Sequence, residues 1–221
     1  MDIINISPKE IENKSFEIIA KELEGMDVVI NGDMPCPKDP AVIRRIIMRC
    51  IHTTADFDYA KTMLFSDNAT RHFGDLIRDG ATIVTDTAMA LAGINKRVLS
   101  EYGCKAVCYM SDADVAKEAS RRNITRASVS MEHAMKLDGP VIFAIGNAPT
   151  ALITLKEHYD ARDYVPAFVI GVPVGFVNVV ASKEMITKTD IPYIINSGRK
   201  GGSGVAAAIV NAMLYSLKDQ V

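Results

Sequence analysis

Between residues 81 and 196 the chain carries five short apolar runs, at 81–85, 106–110, 141–145, 167–172 and 193–196. Each is separated from the next by a stretch patterned as helix, and this spacing constrains the fold more than any other feature. Short, nearly unbroken apolar runs are strands covered on both faces, and helical crossovers between them make the strands parallel. The pattern predicts an α/β fold: a flavodoxin-like, doubly wound, mainly parallel five-stranded sheet with helices on both faces. Helices are expected near 68–78, 95–102, 112–122, 125–137, 149–159, 178–187 and 203–217.

Two more helices precede the alternation. Ser7-Pro8-Lys9-Glu10 reads as a capping box with proline in the first turn. The helix it opens carries a loose apolar stripe, Ile11, Phe16, Ile18, Ile19 and Leu23, and Gly25 ends it. Residues 31–37 are turn-rich and read as a surface loop. Asp39-Pro40 starts the second helix, with Val42, Ile43, Ile46, Ile47 and Cys50 apolar and His52 at or just past its end. Residues 57–65 are ambiguous and have room for one extra short strand. With 221 residues and no linker, repeat or low-complexity tract, residues 1–221 read as a single domain.

In open α/β sheets, ligands bind beyond the carboxyl ends of the strands. Those ends include Thr85-Asp86-Thr87, the turn from Gly146 and Asn147 to Thr150, the turn from Gly171 to Gly175, and the stretch from Asn196 to Gly204. Most are rich in glycine, proline or small polar residues. Such turns let a ligand approach the backbone and leave helix N-terminal amides free for anions. Arg199, Lys200, Gly201, Gly202 and Ser203 form the strongest local signal, two cations and a glycine-rich turn directly before an alanine-rich helix. They read as an anion-binding turn, or as a tight connection whose glycines serve packing. The stretch is neither a P-loop nor a GxGxxG fingerprint. Arg126 opens a helix, where a cation opposes the helix dipole, so it is either held for a ligand carboxylate or simply solvated.

His52 is the residue best suited to acid–base work. It ends an apolar, basic-studded helix, and two threonines and two aspartates follow within six positions. Histidine exchanges protons near neutral pH. His72, His133 and His158 read as surface or capping residues. No pair of histidines has metal-ligand spacing, no HExxH or GxSxG occurs, and no metal site is expected. Cys36, Cys50, Cys104 and Cys108 contain no CxxC pair and read as free thiols, mostly buried.

Composition narrows the classes. The net charge is −2 with no long basic run, which gives no electrostatic footprint for nucleic acid. The N-terminus lacks the basic-then-apolar pattern of a signal peptide, and no apolar run approaches the roughly 20 residues that span a bilayer. A cytoplasmic protein without membrane partners is expected.

Five stretches together resemble one family. They are the segment from Arg49 through His52 to Ala60, that from Thr85 to Ile94, that from Gly146 to Leu152, that from Gly171 to Phe176, and that from Gly198 to Ser203. In order and content they resemble the precorrin-8X methylmutases, called cobalt-precorrin-8 methylmutases in the cobalt-early pathway. The resemblance runs from about Ser15 to Asn211. It implies the same α/β architecture, a homodimer with each site near the subunit contact, and a large tetrapyrrole (corrinoid) substrate bearing many acetate and propionate arms. It implies an isomerase of cobalamin biosynthesis that moves a methyl group from ring carbon 11 to ring carbon 12, giving hydrogenobyrinic or cobyrinic acid. The shift is intramolecular, so no methyl donor or redox cofactor is implied. His52 matches the histidine given the general-acid role, and Ser15 and Arg126 match substrate contacts. Several carboxylates need several anion sites, for which the strand-end turns, Arg126, Arg199 and Lys200 are candidates. Phe57, Met89, Ile94 and Phe176 are candidates for an apolar floor, and Asp56 is a candidate partner for the His52 ring. A non-catalytic corrinoid carrier and a flavodoxin-like phosphate or nucleotide binder are the competing readings.

Overall fold

A computed structural model of the chain describes residue 7, residues 10–24, residue 26 and residues 40–218. The expected 31–37 loop, Gly25, Pro8 and Cys36 lie outside them. The sheet has six strands rather than five: β1 (Met63–Phe65), β2 (Thr82–Thr85), β3 (Lys105–Val107), β4 (Val141–Ile145), β5 (Phe168–Gly171) and β6 (Tyr193–Asn196). The additional strand lies in the ambiguous segment. β1 is only three residues long and pairs antiparallel with β6, Met63 opposite Asn196, closing one edge. The others are parallel, and the sheet order is β1-β6-β5-β4-β2-β3. The chain therefore steps from β2 outward to β3, then returns past β2 to β4. The carboxyl ends of β2 and β4 flank the point where the winding reverses, which is where such sheets bind ligands.

Successive strand residues face opposite layers, and both layers are apolar. Ile83, Ile142, Ala144, Phe168, Ile170 and Ile194 join one core. That core is completed by α1 (Ile11–Glu24), α2 (Pro40–Thr54), α4 (Ala69–Arg78), α6 (Lys96–Glu101) and α11 (Ser203–Lys218). Val84, Val141, Phe143, Ile145, Val169 and Ile195 join the other. There they meet α8 (Arg126–Ala134), α9 (Pro149–Ala161) and α10 (Val179–Thr187). Two-sided burial explains why the strands read as unbroken apolar runs. α11 is buried along nearly its whole length, so its alanines let α2 and the sheet approach closely.

Two short helices, α3 (Tyr59–Thr62) and α5 (Ala88–Gly93), and α7 (Ala113–Arg122) complete the chain. Thr87 caps α5 by accepting the Ala90 amide at 3.1 Å, Asn95 caps α6 through Val98, and Thr125 caps α8 through Ser128. At the N-terminus the Ser7 hydroxyl donates to the Glu10 carboxylate at 2.7 Å, joining the two polar ends of the expected capping box. Among the described residues no helix is long and apolar enough to cross a membrane.

Candidate active site

The turns after β2, β4, β5 and β6 are tied into one surface. Asp86, fully buried, accepts the amides of Gly146, Asn147 and Ala148 at 2.8, 2.8 and 2.6 Å, which fixes the turn entering α9. Burial pushes its carboxyl above the usual carboxylate range, and the three amides oppose that shift. Gly146 lies so close to the next turn that a Cβ there would stand 2.7 Å from the Ser203 Cα. Gly201 is tighter still. Its φ is +158°, and a Cβ would stand 2.0 Å from the Val172 carbonyl oxygen. The Thr87 and Ser203 hydroxyls bond at 2.7 Å, joining the end of β2 to the start of α11.

His52 ends at the same place from the other side. It is exposed in the last turn of α2, its ring stacked on Phe16 of α1 with centroids 5.1 Å apart. It lines a cavity of about 210 Å³ with Arg49, Thr53, Gly93, Gly204, Ala207 and Asn211. Gly204, next to Ser203 in the first turn of α11, forms part of the wall, and a Cβ on it would stand 3.4 Å from the Thr53 methyl. Arg49, one turn before His52, is a residue the sequence reading missed. Its guanidinium lies over the rings of Phe16 and Tyr215 at 5.1 and 4.8 Å and pairs with Glu12 at 3.0 Å. It also borders a neighbouring cleft of about 500 Å³ between α1, α2 and α11, with Arg44, Arg45 and Met48. The three-residue spacing from Arg49 to His52, one helical face, was the available signal.

The remaining candidates fall into two groups. Arg199 is exposed, its guanidinium 5.5 Å from the Phe176 ring centroid, and Gly202, Ser203, Gly175 and Asn147 lie on the turns themselves. Arg126 is exposed at the first turn of α8, beside Thr125, whose hydroxyl bonds Thr150 in the first turn of α9 at 2.9 Å. That places it at the β4 end, on the layer opposite His52. Ser15 neighbours Phe16, but its hydroxyl donates to the Ile11 carbonyl at 3.0 Å. Thr85, Gly146 and Gly171 are buried and hold the turns together. The Thr85 hydroxyl bonds the Thr87 carbonyl at 3.0 Å, and a Cβ on Gly171 would meet Ile195 at 3.0 Å.

Asp56 is held by Lys200 rather than by His52. The Lys200 ammonium lies 2.6 Å from Asp56 and 2.5 Å from Asp58, and this contact keeps the Asp56 carboxyl below its usual range. The pair ties the turn after α2 to the β6–α11 turn. Of the expected apolar floor, Met89 and Phe176 are exposed, whereas Ile94 is in the core and Phe57 packs against it. Cys50 and Cys104 are buried free thiols, with Cys50 pushed up to about 12 by burial, and Cys108 is half-buried. His133 meets Glu118 and Asp114 and His158 bonds Asp163 at the surface, while the exposed His72 stacks over the core ring of Phe168.

A doubly wound sheet with its strand-end turns tied together, and a histidine-bearing cavity at the start of the helix that follows the last of them, fits a ligand-transforming α/β enzyme. Residues 10–216 match the family model of precorrin-8X methylmutase, and the chain belongs to that family. The cobalt-precorrin-8 methylmutase of Salmonella typhimurium is 42% identical over 213 residues, covering 96% of this chain and 97% of the relative. That of Priestia megaterium is 41% identical over 210 residues, with 95% and 88% covered. The solved precorrin-8X methylmutase of Thermus thermophilus superposes with a TM-score of 0.80 at 32% identity, covering 96% of this chain and 97% of that one. The chain is thus a methylmutase of cobalamin biosynthesis, an intramolecular transferase.

Proposed function

We propose that this enzyme moves the methyl group on ring carbon 11 of precorrin-8, or of its cobalt complex, to ring carbon 12, with His52 as general acid. The bond from the methyl to carbon 11 breaks and the bond to carbon 12 forms, while the ring double bonds rearrange. The product, hydrogenobyrinic or cobyrinic acid, is an isomer, so no electron acceptor or methyl donor enters. The observation that carries the reading is the position of His52, exposed in a cavity walled in part by Gly204 at the start of α11 and stacked on the Phe16 ring. An imidazolium there gives a proton to the macrocycle as the methyl migrates and takes one back afterwards.

The substrate's carboxylate arms meet Arg199, Arg126, Arg49 and the amides of the turn from Gly198 to Ser203. Its apolar ring lies against Met89 and Phe176, both exposed along the strand-end edge. The five parallel strands run in the order second, first, third, fourth, fifth, which supports the flavodoxin-like assignment. The enzyme is a cytoplasmic single-domain protein that works as a twofold homodimer.

Anaerobic incubation with precorrin-8, followed by visible spectroscopy, tests the reading. The wild type is expected to develop the product corrin's spectrum. His52→Ala, which removes an exposed side chain, is expected to fold normally and lose about 10²–10⁴-fold in rate. Equal conversion by both proteins would remove His52 as the acid.

A further inference from the structure

Lys183 occupies the middle of α10 and is 1% exposed. A buried ammonium ordinarily needs a counter-charge, yet among the described residues no carboxylate pairs with it. Its partners are two backbone carbonyls of the β6–α11 turn, Gly198 and Lys200, each accepting from Nζ at 2.9 Å. Burial lowers its pKa to about 8.

The other carbonyls of that turn are engaged as well. The Ser197 carbonyl accepts from the Asn196 side-chain amide at 3.1 Å, and the Arg199 carbonyl from the Gly175 backbone amide at 3.1 Å. Lys200 takes a second bond from Asn196 at 2.9 Å, and the Asn196 oxygen is itself fixed by Thr62 at 2.6 Å. Every carbonyl from Ser197 to Lys200 is therefore held within the fold. The amides divide differently. Those of Ser197 and Gly202 donate to Thr62 and Val172 carbonyls. Those of Gly198, Arg199, Lys200 and Gly201 donate to no group among the described residues. A turn whose carbonyls are committed and whose successive amides are uncommitted offers its positive side to an arriving anion. Gly198, at φ +72°, has the freedom to turn its peptide over if the lock is removed.

We propose that Lys183 is a positioning residue for substrate. By gripping the carbonyls on either side of Arg199, it holds the Gly198–Gly201 amides and the Arg199 side chain toward the macrocycle's carboxylates. This rests on the reading above, in which that turn binds substrate. Lys183 touches no substrate atom itself. A group that holds a binding surface acts alike on ground state and transition state, so its loss raises KM and spares kcat.

The test compares Lys183→Met and Arg199→Gln with wild type in steady-state turnover of precorrin-8, at a temperature where each is fully folded. Both variants are expected to raise KM about tenfold or more while kcat changes less than about threefold. Amide hydrogen exchange in Lys183→Met is expected to quicken at Gly175, Ser197 and Gly202, whose amides are hydrogen-bonded in and around the turn, and not in the central strands. If Arg199→Gln raises KM and Lys183→Met does not, the positioning role falls and the binding turn stands. If neither variant changes KM, the turn does not bind substrate and both readings fall. Should Lys183→Met not fold, Lys183→Gln, whose shorter side chain keeps a neutral amide NH₂ but loses the ammonium, replaces it with the same expected direction.

Discussion

Asp86 accepts three consecutive backbone amides where the chain leaves β4 and enters α9. An ionised carboxylate has about four acceptor sites and no proton to place among donors, which matches this cluster of N–H groups. Asparagine has one acceptor oxygen and would turn an NH₂ toward the same amides. Asp86→Asn is therefore expected to strand one or two buried amides and cost about 2–4 kcal/mol, on the usual penalty for an unpaired buried donor. Urea unfolding checks it. An unchanged midpoint together with a raised KM would make Asp86 a ligand contact rather than the brace of the turn. The sequence showed that Asp86 ends a strand, where ligands gather; it held no sign that Gly146, 60 residues on, would supply the donors. Lys183 was opaque for the same reason. A lysine in a helix reads as solvated, and only the folded turn brings two carbonyls to its ammonium.

At the scale of elements, legibility followed burial. β4 and β6 were bounded correctly because both faces of each are covered, which leaves only apolar residues to read. β1 was uncertain because three residues carry no period, and its pairing with β6 is a tertiary fact. β3 starts one residue earlier than expected and stops at Val107, because only one neighbour, β2, pairs with it. The six-residue α5 was missed, its main local mark being the Thr87 cap. The pairing of α1 with α2 matters most to the site. Ile19 and Leu23 bury α1, and that contact delivers Phe16 to His52 and Arg49. Phe16→Ala removes a partly buried ring, so the loss of stability is expected to be modest, about 1–2 kcal/mol. The same change frees the imidazole and the guanidinium, and kcat is expected to fall about tenfold. Thermal unfolding beside steady-state turnover separates the two effects. A lowered melting temperature with unaltered kcat and KM would reduce Phe16 to packing.

At the scale of the whole molecule, the carboxyl edge of the sheet carries the three most exposed large apolar side chains among the described residues. Phe176 is 83% exposed and Val177 77%, on the turn after β5, and Met89 is 72% exposed after β2. A contiguous exposed apolar patch marks a surface that meets something apolar. On the function proposed above, a macrocycle would cover part of that edge and a second copy of the chain more. A twofold contact is the simplest way to do so, since it sets the same patch against itself. The net charge of −2 opposes association only weakly. Sedimentation equilibrium over falling concentration is expected to give twice the 24.1 kDa chain mass. Phe176→Asp places a carboxylate in the contact and is expected to shift the equilibrium toward monomer. Its melting temperature measured as monomer should stay close to that of wild type, because so exposed a ring contributes little to the core. Monomeric wild type at every concentration would leave the edge to the substrate alone. The ring of Phe176, beside Arg199, would then be felt in KM and not in mass.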